Sequence, residues 1–207
     1  LYTEDADFDQ GTLVNVNHDS PNNNQLQLNT TSGTFPFIWI ALSQRGTIAK
    51  INTQTGQILG EYRTIPDARG NFQQSSRTTV SLDGSVWVGH RGVNGRVAHV
   101  GLVELNQCVD RNGNSTIETS TGYGDVKPWT GTANADASTA EDECILHGIQ
   151  PGVTPNSGPT TAGDSRHMSV DSNGDVWVGD WQGGSIFRKF SGNTGALISG
   201  PHDLPCG

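Results

Sequence analysis

A pattern of short apolar runs and glycine turns returns along this chain and restricts what it can fold into. Its fullest copy is Ser165 to Gly200, SRHMSVDSNGDVWVGDWQGGSIFRKFSGNTGALISG. Strands are expected at Met168 to Asp171, Val176 to Gly179, Ser185 to Phe190 and Ala196 to Ser199. The turns between them are marked by Asn-Gly and Thr-Gly, which is hairpin chemistry. Ser76 to Leu102 repeats the first three strands, and Phe37 to Tyr62 repeats the last three. The register is kept: Trp39 to Ile48 and Trp177 to Ile186 are each nine residues, and Trp87 to Val97 is ten. A repeat of about 40 residues built from four short strands predicts a β-propeller blade. The competing expectation is a β-sandwich whose hairpins look alike because they share turn residues.

Composition agrees with an all-β chain. There are 27 Gly and 9 Pro in 207 residues, 32% of residues are hydrophobic, and no long run has a helical period. The net charge of −9, with only 12 Lys and Arg, argues against nucleic acid and anionic membrane surfaces and suits divalent cations. No apolar run approaches a membrane span. The chain begins Leu-Tyr, which predicts processing or a longer product, and much Asn, Thr, Gly and Ser leans towards a secreted, extracellular or periplasmic protein.

Four regions are expected: an N-terminal strand segment (1–34), two blades (35–104) of which the first lacks a clear first strand, an insertion (105–163), and a further blade with its run-off (164–207). Asp5, Asp7 and Asp9 at the head suit a solvated strand start better than a calcium loop. The insertion carries one helix-like turn, at Ala140 to His147. Its start is the sharpest chemical signal. Asp110, Asn112 and Asn114 place side-chain oxygens at positions 1, 3 and 5 of a calcium loop of the EF-hand or dockerin kind. Thr116 supplies its carbonyl at position 7, Ile117 follows, and Glu118 stands at position 9. Ser115 stands where Gly is wanted and Thr121 where an acid is wanted, so Asp125 is the candidate replacement ligand. The alternative is an Asn-Gly turn without metal. Asp171-Ser-Asn173-Gly-Asp175 looks similar, but its counterpart Ser81-Leu-Asp83-Gly-Ser85 keeps the turn and loses two of three oxygens, which makes 171–175 a hairpin turn.

Cys108 and Cys144 flank the insertion and can staple its base, leaving Cys206 for a partner outside this stretch; three free buried thiols are the other option. A binding rim is expected where the loop after each Trp strand changes its side chains: His90 in one blade, Asp180 and Trp181 in another. Arg77 and Arg166 each enter a first strand after Ser, and either line a channel and bind an anion or pair between blades.

The repeats S-R/x-V-D-x-x-G-x-V-W-V-G and I-x-K/R-x-x-x-x-T-G-x-I-x-G resemble the streptogramin-lyase-like and NHL-like β-propellers of secreted and periplasmic proteins. The resemblance covers Phe35 to Ser199 apart from the insertion. It implies a propeller fold; the lyases' metal-assisted His and Glu set is not reproduced by His90, His99 or His167, so lyase activity does not carry over. Three blades do not close a ring of four to eight. Another chain, a continuation of this one or further copies are therefore expected to complete it. The sequence reads as a secreted, calcium-stabilised propeller segment with a binding or structural role, within an extracellular assembly. The alternative is a metal-dependent lyase or hydrolase using Arg77, Arg166, His90 or His167 on its central face.

Overall fold

The structure is a computed structural model that describes residues 16–18, 20, 27–28, 35–70, 74–91, 96–150, 165–180 and 186–203. It has two compact units, Leu1–Pro36 and Phe37–Gly207. In the first, β1 (Val16–Asn17) pairs antiparallel with β2 (Gln27–Leu28). Asp5, Asp7 and Asp9 lie outside the described residues.

The second unit is all-β. Its first sheet holds β3 (Phe37–Leu42), β4 (Thr47–Asn52) and β5 (Ile58–Arg63). The second holds β6 (Ser75–Val80), β7 (Val86–His90), β8 (Val97–Val100) and β9 (Ile145–Ile149). The third holds β10 (Ser165–Val170), β11 (Val176–Asp180), β12 (Ile186–Phe190) and β13 (Leu197–Asp203). All pairings are antiparallel and sequential. Among the described residues there is no α-helix, and no helix is long and apolar enough to cross a membrane.

The central strands explain the packing. Ile38-Trp39-Ile40, Val86-Trp87-Val88 and Val176-Trp177-Val178 do not alternate apolar with polar, and a strand of that kind suits a sheet covered on both faces. Val86, Val88, Ala98 and Val100 point to the first sheet and share a core with Trp39, Ile48 and Tyr62. The opposite face of the second sheet carries Trp87, Val97 and Ile149, which pack with Met168, Val176, Val178 and Phe190 of the third. The second sheet therefore lies between the other two. Each fully buried Val there contributes about 1.5–3 kcal/mol. Polar ties add direction to the first contact. Trp39 Nε1 donates to the Gly84 carbonyl at 3.0 Å, and Lys50 Nζ reaches Glu104 at 2.7 and 3.0 Å.

Strands predicted for the last blade appear within a few residues of their expected bounds, and among the described residues the first sheet has three strands, beginning at β3. Two expectations change. The insertion does not lie between sheets: it separates the third and fourth strands of the second sheet, because Ile145–Ile149 returns to pair with β8. That strand occupies the place of the expected helix-like turn, while a single 3-10 turn forms earlier, at Ala137–Thr139. The two Ser-Arg sequences are also not equivalent. The same bulge follows Ser75 and Ser165, but Arg166 stands four residues before Val170 where Arg77 stands three before Val80, so Arg77 faces Gly89 and its counterpart, facing Gly179, is His167.

Candidate metal site

The loop from Asp110 to Glu118 is held at its base by the Cys108–Cys144 disulfide and by backbone pairing, Val109 N to the Glu143 carbonyl at 3.0 Å and Glu143 N to the Glu118 carbonyl at 2.9 Å. Between these anchors the side chains organise the turn. Asp110 accepts from the backbone N–H of Gly113 at 2.7 Å, Asn114 at 3.2 Å and Ser115 at 2.8 Å. Asn112 Oδ1 accepts from Asn114 N at 3.0 Å, and Asn114 Oδ1 from Thr116 N at 2.8 Å. Both Asn amides then donate to one carboxylate: Asn112 Nδ2 to Glu118 Oε2 at 2.7 Å, and Asn114 Nδ2 to Glu118 Oε1 at 2.6 Å. Four of the predicted ligands, Asp110, Asn112, Asn114 and Glu118, thus form one exposed hydrogen-bonded ring. Ser115, at the position where a calcium loop takes Gly, has φ 67°. The left-handed backbone that Gly would supply is adopted by Ser at a cost of about 1–2 kcal/mol.

Of the two remaining predicted ligands, one stands apart. Thr116 contributes its N–H to Asn114 as described. Asp125 turns away: it accepts from Thr121 N at 2.9 Å, from Thr121 Oγ1 at 3.0 Å and from Lys127 Nζ at 2.8 Å. The Lys127 hydrogen bond is the main reason its carboxyl is held below the usual range. The replacement ligand expected from the sequence is therefore committed to a lysine. Among the described residues no three His, Cys, Asp or Glu side chains converge as a metal-ligating group.

Sequence reasoning missed the residue that supports the loop from behind. Glu143 is buried, and it accepts from Arg111 N at 2.7 Å, Asn112 N at 3.4 Å and Glu118 N at 2.9 Å. Its only sequence signal is its place in the acidic run Glu141-Asp142-Glu143 before Cys144. Asp142 beside it is also buried and accepts from Thr119 Oγ1 at 2.8 Å, Cys144 N at 3.0 Å and Ser120 N at 3.1 Å. Burial outweighs those bonds and raises its pKa. The Arg111 guanidinium closes the back of the loop on the carbonyls of Asp142, Ala140 and Ile145. An open cleft of about 630 Å³ adjoins the ring, lined by Arg111, Asn112, Glu118, Lys127, Glu141 and Glu143 among others.

The turn at 171–175 closes the β10–β11 hairpin, with Asp171 N to the Asp175 carbonyl at 2.9 Å. Lys189 Nζ sits between its carboxylates, 2.8 Å from Asp171 and 3.0 Å from Asp175. A lysine ammonium thus already bridges the two acids.

The expected rim is not gathered by the described residues. Arg77 is exposed on β6. His90 is the last residue of β7 and only 2% exposed, because the strand extends one residue past the Val-Trp-Val-Gly run and His90 pairs with Ser75. Arg166 and Asp180 are strand residues whose side chains lie outside the described part, and Trp181 and Cys206 lie outside the described residues. No protein-family model matches the chain, and a search of curated proteins finds no match.

Proposed function

We propose that this chain is a calcium-binding segment of a secreted β-propeller with a binding or structural role, and that calcium rigidifies the insertion and contributes no chemistry. The observation that carries the reading is the ring of Asp110, Asn112, Asn114 and Glu118, backed by Glu143 and stapled by Cys108–Cys144. Its donors are hard oxygens, which suit Ca²⁺. Each Asn oxygen gives one lone pair to a backbone N–H and keeps a second for a cation. Two carboxylates are few, so the expected Kd is in the range of extracellular modules, about 10⁻⁴–10⁻³ M. The disulfide supports an oxidising compartment. Three antiparallel sheets in series, each with a Trp on its second repeat strand, support blade-like units, as does the resemblance to the streptogramin-lyase-like and NHL-like repeats.

The test is thermal unfolding followed by tryptophan fluorescence, with calcium, with magnesium and with a chelator. Calcium at ten times its Kd adds about 1.4 kcal/mol, which is about 3–5 °C in a chain of this size. Asp110→Ala and Glu118→Gln are expected to remove the rise, each measured against its own chelated midpoint, because Asp110→Ala also takes away the acceptor of three backbone N–H bonds. A midpoint indifferent to about 10 mM calcium, ten times the weakest expected Kd, sinks the calcium reading.

A further inference from the structure

The two sheet contacts inside this chain are the same contact made twice. In each, the Trp face of one sheet receives the face of the next sheet that carries the two apolar neighbours of its own Trp. Trp39 packs with Val86 and Val88; Trp87 packs with Val176 and Val178. All four of those valines are 0% exposed. The series leaves one half of the contact open at each end. Ile38 and Ile40, which flank Trp39 as Val86 and Val88 flank Trp87, are 47% and 40% exposed. Register places Ile51 and Ile58 on the same face as Ile38, both half-buried. At the other end Trp177 is half-buried where Trp39 and Trp87 are buried, and Phe187 on its face is half-buried too.

From these two faces we propose that a second copy of this chain docks on the first, the Trp177 face of each copy covering the Ile38 and Ile40 face of the other. The proposal rests on reading the three sheets as blade-like units. The free faces fit because they are the two halves of a contact the chain already makes, with the same residue classes at the same repeat positions. A contact between different faces is heterologous; it closes if the rotation permits and otherwise runs on as a filament. Two copies bring together twice the three sheets of one chain, and six lies within the four to eight that close a propeller. Both faces of both copies are then covered, and no end remains open.

Sedimentation equilibrium of the full chain, over a range of concentrations and in a Cys206→Ser background, tests this without counting disulfide-linked pairs. The expected mass is twice the 22.0 kDa of one chain. Ile40→Lys and Trp177→Lys should each give a monomer that still melts cooperatively, since Ile40 is exposed and Trp177 only half-buried in the single chain. Mixed in equal amounts the two variants should pair again, because one has an intact Trp177 face and the other an intact Ile40 face. A wild-type monomer at every concentration overturns the proposal, including the case in which residues 1–34 cover the isoleucines. A dimer that survives both substitutions, or masses running beyond the dimer, also overturns it. Amide exchange separates this from failure of the underlying reading. A monomer with slow exchange at 86–88 and 176–178 keeps the blade-like sheets and loses the docking; fast exchange there removes the sheets as well.

Discussion

Lowering the pH from 7.5 to 5.0 challenges the contact between the second and third sheets through His99. Its ring stacks on Trp87, with centroids 3.9 Å apart and planes 6° from parallel. Nε2 lies 2.9 Å from Ser85 Oγ, which donates its own proton to Asp83 at 2.7 Å, so the histidine is the donor and Nδ1 is the unprotonated nitrogen. Nδ1 is buried without a partner. Protonation there places a charge and an unsatisfied N–H in the core. Burial, with His147 stacked at 5.5 Å as the lesser cause, pushes the His99 pKa down to about 3. The unfolded chain binds this proton near pH 6.5, so between that value and the folded pKa the unfolded state holds more protons and stability falls with pH. At pH 5.0 the loss is about 2 kcal/mol. His147, also lowered by burial, adds in the same direction. Asp142 opposes, since its raised pKa favours the folded state as it takes up a proton. Glu61 enters later. Burial alone would raise it, but its bonds from Arg45, Thr47 and Gly124 lower its pKa, so it destabilises only below about pH 4.3. Urea midpoints at the two pH values measure the effect in the wild type and in His99→Phe, which keeps a ring against Trp87. The variant should lose most of the difference; an equal loss in both refutes the assignment to His99.

Three further outcomes follow from single contacts. Cys108→Ser opens a loop with a sequence separation of 36 residues, which costs about 4 kcal/mol of chain entropy and lowers the melting midpoint by the same amount as chemical reduction. Trp129→Ala removes a fully buried ring whose Nε1 donates to the Asp136 carbonyl at 2.9 Å, and urea unfolding should show a loss of about 3–5 kcal/mol. Glu143→Gln weakens three backbone bonds to a charged acceptor at a cost of about 1.5–3 kcal/mol, and amide exchange at Arg111, Asn112 and Glu118 should quicken before that of the sheets.

The parts legible in the sequence are those whose cause is local. Hairpin turns declare themselves by Gly at positive φ, as at Gly84 and Gly174, and the Trp strands by apolar residues on both sides of the ring. The oxygen ring was legible for the same reason: Asp110, Asn112, Asn114 and Glu118 bond mainly to one another and to their own backbone. What was hidden depends on long-range choices. Ile145–Ile149 is a five-residue run that no local pattern ties to Val97–Val100, because its partner lies on the far side of the insertion. The offset between Arg77 and Arg166 could have been counted, since Arg77 stands three residues before Val80 and Arg166 four before Val170; aligning Ser-Arg to Ser-Arg conceals it. Asp125 has the right chemistry for a ligand, and what the sequence did not show is that Lys127, two residues on, folds back to 2.8 Å from it.

The insertion also fixes which part of the fold its loop can influence. Ser120 lies just beyond Glu118, and its hydroxyl accepts the Glu61 N–H at 2.8 Å on the outer edge of β5; Gly124 N donates to the Glu61 carboxylate at 3.0 Å. Glu61 is fully buried and tied to Arg45 at 2.6 Å and Thr47 at 2.7 Å. The segment that leaves the Asp110–Glu118 ring therefore completes the edge of the first sheet, while its return strand belongs to the second. Among the described residues the third sheet makes no comparable hydrogen bond to that segment, and it meets the second through the Trp87 core and the His147 bond to the Gly192 carbonyl at 3.1 Å. Loosening of the ring is thus transmitted to β5 and the contact of the first two sheets ahead of β12. Hydrogen exchange of Asp110→Ala reads this directly: Gly60 and Glu61 should exchange faster while Phe187 to Phe190 stay unchanged. Equal acceleration of β5 and β12 would mean that the loop acts on the stability of the whole unit and not through its link to Glu61.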